Sequence, residues 1–124
     1  MRWHRLALLL AVAGCGGGAG CPDLVGCSSQ LTVRLPAGTT AAEACVAGVC
    51  ASTITALGEL MVPLGRGAAG ETAAVTVAIP GSPVYAGDVA LVRTRPSGPG
   101  CPPVCVNGAA VVDTAAGRVV AAPA

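Results

Sequence analysis

LTVRL, residues 31–35, alternates apolar and polar side chains and decides the fold class of this chain. Leu31, Val33 and Leu35 fall on one face of an extended backbone, while a threonine and an arginine fall on the other. AVTVAI, residues 74–79, repeats the alternation. Because a period of two is typical of strands with one face in a core and the other in water, the pattern predicts two such strands.

Further apolar segments with the same signature lie between turn sequences rich in Gly and Pro, such as IPGSP and RPSGPG. They cover residues 44–46, 49–55, 59–64, 88–94, 104–114 and 118–121. Short strands with breaks roughly every 8 to 12 residues predict an all-β, immunoglobulin- or fibronectin-like antiparallel sandwich of about seven strands. A helical turn over the alanine-rich segment 39–46 is the alternative for that part of the chain.

The composition limits the class of protein. The chain has 124 residues, enough for one domain, and 53% of them are hydrophobic, so 18 Gly and 10 Pro indicate a packed domain with many turns. Lys and Phe are absent. From Cys15 onward, five Arg and six acidic residues give a net charge of −1. We therefore expect no nucleic-acid partner, because such partners require a basic surface.

The N-terminus has the parts of an export signal. MRWHR is a positive region, and LALLLAVA, residues 6–13, is an apolar run far shorter than a membrane-spanning helix. VAGC, residues 12–15, resembles the bacterial lipobox, in which the cysteine is linked to diacylglycerol and becomes the new N-terminus. AVA, residues 11–13, also fits the ordinary signal peptidase.

The number of cysteines favours the lipobox. Ordinary cleavage leaves seven cysteines, an odd number, whereas lipidation of Cys15 leaves six for three disulfides. We predict a signal peptide over 1–14, the lipidated cysteine and a flexible Gly-rich tether over 15–28, and the β-sandwich over 29–124. The protein would then be anchored in the cell membrane on its extracytoplasmic side.

The whole chain resembles small actinobacterial lipoproteins and secreted proteins, in which such a leader precedes a Cys-rich β-domain. The likeness rests on VAGC and on GPGCPPVC, residues 98–105, followed by the hairpin sequence AAVVDTAAGRVV. The resemblance implies export and anchoring through Cys15, and it implies no particular activity.

CVAGVC, residues 45–50, predicts a β-hairpin with a two-residue turn at its centre. In that register Cys45 faces Cys50 at a position where side chains approach closely, which predicts a cross-strand disulfide.

The remaining four cysteines are predicted to pair locally. CPPVC suggests a bridge from Cys101 to Cys105, which leaves Cys21 to pair with Cys27. Bridges between sheets, such as Cys27 to Cys50 or Cys45 to Cys105, are alternatives, because sequence alone does not fix the pairing of six cysteines.

The residue inventory argues against an enzyme. His4, the only histidine, lies in the leader, so the mature chain lacks a Ser-His-Asp triad, a Cys-His pair and a Schiff-base lysine. We expect no cofactor and no metal site. The predicted function is a binding or envelope-structure module with an envelope protein as its partner.

Arg93 and Arg95 are predicted to lie on one strand face and to form a contact surface with the proline-rich loop beyond them. The prolines lower the entropy cost of contact, which favours recognition. The plainer interpretation of the loop is a simple connection between strands. The alternative function is an extracytoplasmic thiol-disulfide or metal-handling protein that uses Cys101 and Cys105.

Overall fold

The computed structural model describes residues 20–21, 26–65 and 72–123, and the described chain is all-β with no helix. Its nine strands are β1 (Gln30–Arg34), β2 (Glu43–Val46), β3 (Val49–Ala51), β4 (Glu59–Pro63), β5 (Thr72–Ala78), β6 (Tyr85–Ala90), β7 (Val92–Thr94), β8 (Cys105–Asp113) and β9 (Arg118–Ala121). The predicted leader, Cys15 and most of the tether lie outside the described residues.

The strands form two packed sheets, which confirms the predicted sandwich. One sheet has the order β4-β1-β8-β7, with β9 also paired to β8, and the other has the order β3-β2-β5-β6. The inward faces follow the alternation in the sequence: β5 buries every second residue, and Leu31, Val33 and Leu35 are all buried. The core contains Val, Leu and Ala, and Tyr85 packs half-buried against it.

The structure corrects two details of the sequence prediction. β1 pairs with β8 in parallel, so the sandwich is not wholly antiparallel. Such a pairing is accessible because seventy residues connect the two strands, which is ample for a crossover. The predicted strand over 44–46 is confirmed as part of β2, whose pairing with β3 and β5 excludes the alternative of a helical turn there.

The predicted strand over 88–94 is in fact two strands that belong to different sheets. β6 pairs with β5, the chain leaves extended pairing at Leu91, and β7 then pairs with β8. Val89 on the β6 side of the crossing is fully buried, whereas all three residues of β7 are exposed. The apolar run over 89–92 therefore spans a change of sheet and is not one half-buried strand.

The β2–β3 hairpin has the predicted register. Cys45 lies opposite Cys50, and the two are joined by a disulfide. The turn residues Ala47 and Gly48 have φ values of 50° and 82°. Positive φ at both central residues is the geometry of a type I′ turn, which matches the twist of the flanking strands.

Ala47→Gly is expected to stabilise the protein by about 0.5–1 kcal/mol, because alanine has a steric penalty at positive φ that glycine lacks. Urea unfolding with the disulfides intact measures the change. Ala37→Gly is the matched control: Ala37 lies in a turn without positive φ, so added chain freedom should leave stability unchanged or lower it. An equal gain in both variants would contradict a strained Ala47.

At one corner of the sandwich, β6 from one sheet runs against β9 from the other. A Cβ atom built on Gly87 would overlap the backbone carbonyl oxygen of Val119. Only glycine allows this approach, because the obstructing atom is main chain and cannot rotate away. The absence of a side chain at Gly87 therefore allows the backbones of β6 and β9 to lie in contact.

The chain divides into two compact units. The larger, Ser28–Thr94 with Cys105–Ala124, contains the sandwich. The other combines Met1–Cys27 with Arg95–Val104, and the structure describes residues 20–21, 26–27 and 95–104 of it.

Candidate functional site

The Cys45–Cys50 disulfide lies on the outer surface of its sheet. Cys50 is exposed, Cys45 is half-buried, and the Sγ atom of Cys45 is 3.8 Å from Oε1 of Glu43. One carboxylate oxygen and the two sulfur atoms lie within 4.8 Å of one another, but the sulfurs are bonded to each other and are not thiolates. A metal ligand set would require reduction of this bond, because the thiolate is the form that binds metal. In the bonded state the pair links two strands.

The predicted pairing of the other cysteines is wrong. Cys101 is bonded to Cys21, with 5.4 Å between their Cα atoms, and not to Cys105. Cys27 and Cys105 are disulfide-bonded as well. A partner 80 residues away is accessible because the folded backbone brings residue 21 within bridging distance of the loop. The inter-sheet alternatives that use Cys45 or Cys50 are excluded by the hairpin disulfide.

Because Cys101 is bonded to Cys21, the described structure contains no Cys101–Cys105 disulfide of the kind that the alternative function uses. Three intramolecular disulfides place the protein in an oxidising, extracytoplasmic compartment. Such bonds also support a small domain whose described core contains no Trp or Phe and therefore buries little area per side chain.

The segment Arg95–Val104, hereafter the proline loop, consists of two consecutive turns followed by a pair of prolines. The N–H of Gly98 donates to the carbonyl of Arg95 (3.0 Å), and the N–H of Cys101 donates to the carbonyl of Gly98 (3.1 Å). The Pro102-Pro103 peptide bond is cis. Four prolines fix φ along these ten residues, so the loop loses little conformational entropy when it meets a partner.

Cys101 anchors this loop to the described N-terminal segment. Its side chain is 7% exposed, and its Sγ atom lies 3.8 Å from the carbonyl oxygen of Gly20 as well as being bonded to Cys21. The hydroxyl of Ser97 is buried and has no hydrogen-bond partner. The buried groups of the loop therefore include the Cys101 side chain and the Ser97 hydroxyl.

The two arginines of the predicted surface do not share a strand face. Arg93 is the central residue of β7, whereas the strand ends at Thr94 and Arg95 begins the proline loop. Both residues are exposed, and Arg93 also interacts with another group of the protein. Arg95 is the charged residue of the loop, whose other nine residues are neutral.

Sequence reasoning missed a shallow cleft of about 370 Å³ in the sandwich unit. The cleft lies between segment 36–41 and the turn over 79–82, with Tyr85 and Thr114 completing its lining. Its side chains are neutral: prolines, alanines, threonines, one serine and one isoleucine accompany the ring of Tyr85. IPGSP is recognisable as a turn from its sequence, but no local signal shows that it lies beside segment 36–41.

Within the described ranges, no helix is long and apolar enough to cross a membrane. No protein-family model, no curated protein and no solved structure matches this chain.

Proposed function

We propose that this protein is a membrane-anchored extracytoplasmic lipoprotein, attached through Cys15, that acts as a non-catalytic binding or envelope-structure module. The observation that carries the proposal is the use of the cysteines. Three disulfides account for the six cysteines from Cys21 to Cys105. Cys15 is the seventh, and it stands at the end of the lipobox-like VAGC sequence.

The residues available in the sandwich support a binding role over an enzymatic one. His4 is the only histidine of the chain and lysine is absent, so the usual general bases and amine nucleophiles are missing from the domain. Asp113 has a structural role, because its carboxylate accepts the N–H of Ala116 and closes the β8–β9 turn (3.0 Å). Glu59 forms an ion pair with Arg34, with 3.9 Å between Oε2 of the carboxylate and Nε of the guanidinium. The rigid proline loop and the neutral cleft are surfaces suited to contact.

Cys15→Ala is expected to abolish incorporation of an alkyne-tagged fatty acid and to move the protein from the membrane fraction to the soluble fraction. The reason is that the thioether forms on the Cys15 sulfur, and no other thiol stands at the end of a lipobox-like sequence. Labelling followed by gel fluorescence measures incorporation, and detergent phase partition measures anchoring.

Ala13→Ser is the matched control, because serine keeps a small residue in the lipobox and leaves Cys15 in place. This variant should label and partition like the wild type. Wild-type protein without label, or label that survives Cys15→Ala, would overturn the proposed anchor.

A further inference from the structure

The Cys21–Cys101 disulfide changes the distance between the proposed lipid anchor and the rest of the protein. Along the chain, fifteen peptide steps separate Cys15 from Gln30, the first residue of the sandwich. Only six steps separate Cys15 from Cys21, which is bonded to the proline loop. An extended chain covers at most about 3.6 Å per residue, so Cys21 stays within about 22 Å of the lipidated residue.

The interfacial region of a bilayer adds about 5–7 Å on each side of the hydrocarbon core. The limit of about 22 Å therefore keeps Cys21, and the proline loop bonded to it, close to the headgroup layer whenever Cys15 is lipidated.

We propose that the proline loop is the membrane-facing surface of the protein and contacts anionic phospholipid headgroups. The inference rests on the proposed lipid anchor and adds the surface that meets the bilayer. The disulfide determines this placement, because without it the path from Cys15 to the loop runs through the longer segment beyond Cys21.

The chemistry of the loop fits such a partner. Arg95 is exposed and provides a guanidinium that can bind a phosphate, and the loop contains no acidic residue to oppose it. Val104 is 41% exposed, and Pro96, Pro99 and Pro102 are exposed as well. The proline rings are uncharged and apolar, and a proline has no backbone N–H group that would need a hydrogen bond to water. A cation within a rigid apolar surface is suited to a charged headgroup layer.

Energy transfer from a single tryptophan to lipid measures the distance of the loop from the membrane. Trp3 is the only tryptophan and belongs to the predicted leader, so Val104→Trp gives the mature chain one fluorescent reporter. The lipidated full-length protein is reconstituted into vesicles of phosphatidylethanolamine and phosphatidylglycerol that carry a dansyl headgroup acceptor. We expect strong transfer, and at least a twofold decrease when Cys21→Ser and Cys101→Ser are added, with the protein still bound to the vesicles.

Arg95→Gln tests the charge separately. It should reduce transfer in vesicles that contain phosphatidylglycerol and leave transfer unchanged in pure phosphatidylcholine. Equal transfer with and without the disulfide, in protein that floats with the vesicles, would overturn the membrane-facing loop. Protein that carries no lipid and does not float would instead overturn the proposed anchor, so the two failures are distinguishable.

A second measurement keeps the disulfide intact and does not depend on the folding of the double serine variant. A protease recognition sequence is inserted after Val25, between Cys21 and Cys27. Cleavage should leave the protein on the vesicles, held by Cys21–Cys101, and a dithiol reductant added afterwards should release it. Release by cleavage alone would show that the short connection to the loop does not exist.

Discussion

Gly87→Ala is expected to lower the free energy of unfolding by at least about 3 kcal/mol. The new methyl group would overlap the carbonyl oxygen of Val119, where β6 and β9 bring the two sheets together. Because that oxygen belongs to the backbone, the overlap can be removed only by a shift of β9. Such a shift would disturb the core, in which the Val119 side chain is 2% exposed. Urea unfolding monitored by far-ultraviolet circular dichroism, with the disulfides intact, measures the loss.

Gly65→Ala is the matched control. Residue 65 has no heavy atom within 4 Å of a built Cβ, and its φ is outside the left-handed region. The substitution should leave the free energy of unfolding within about 0.5 kcal/mol of the wild type. A Gly87→Ala variant as stable as this control would contradict the close approach of β6 and β9.

Leu31→Ala should destabilise the protein by about 2–5 kcal/mol, because it removes a fully buried side chain from a central strand. β1 lies between β4 and β8, and Cδ1 of Leu31 occupies the space beside Gly108, which has no side chain to fill the cavity. Thermal unfolding by calorimetry, under conditions in which refolding is reversible, measures the effect.

Leu57→Ala is the matched control, because it makes the same leucine-to-alanine change at the surface. Leu57 is 82% exposed in the turn before β4, so loss of its side chain should change the free energy of unfolding by no more than about 0.5 kcal/mol. If the two leucine variants were equally stable, Leu31 would not lie in the core.

The difference between the two cysteine regions shows what could be predicted of the candidate site. The Cys45–Cys50 bridge was predictable, because a two-residue turn fixes the register of the strands on either side of it. The Cys21–Cys101 bridge was not predictable, because its two cysteines are 80 residues apart and the sequence around each one does not indicate its partner. The proposed contact of the proline loop with the membrane depends on that second bridge.

The cleft was missed for the same reason. Segment 36–41 follows β1 and the turn over 79–82 follows β5, strands that belong to different sheets. Each segment was recognisable as a turn from its glycine and proline, but their proximity results from the packing of the sheets.

The sequence by itself determined the sandwich class, the position of most strands and the face of each that is buried. Those properties follow from a period of two, which is local. Only the tertiary structure decided that β1 pairs in parallel with β8, that residues 88–94 cross between sheets, and that Cys21 is bonded to Cys101. The physical reason is that an alternating strand presents the same apolar face to any partner. The choice among partners is made by the packing of the whole chain.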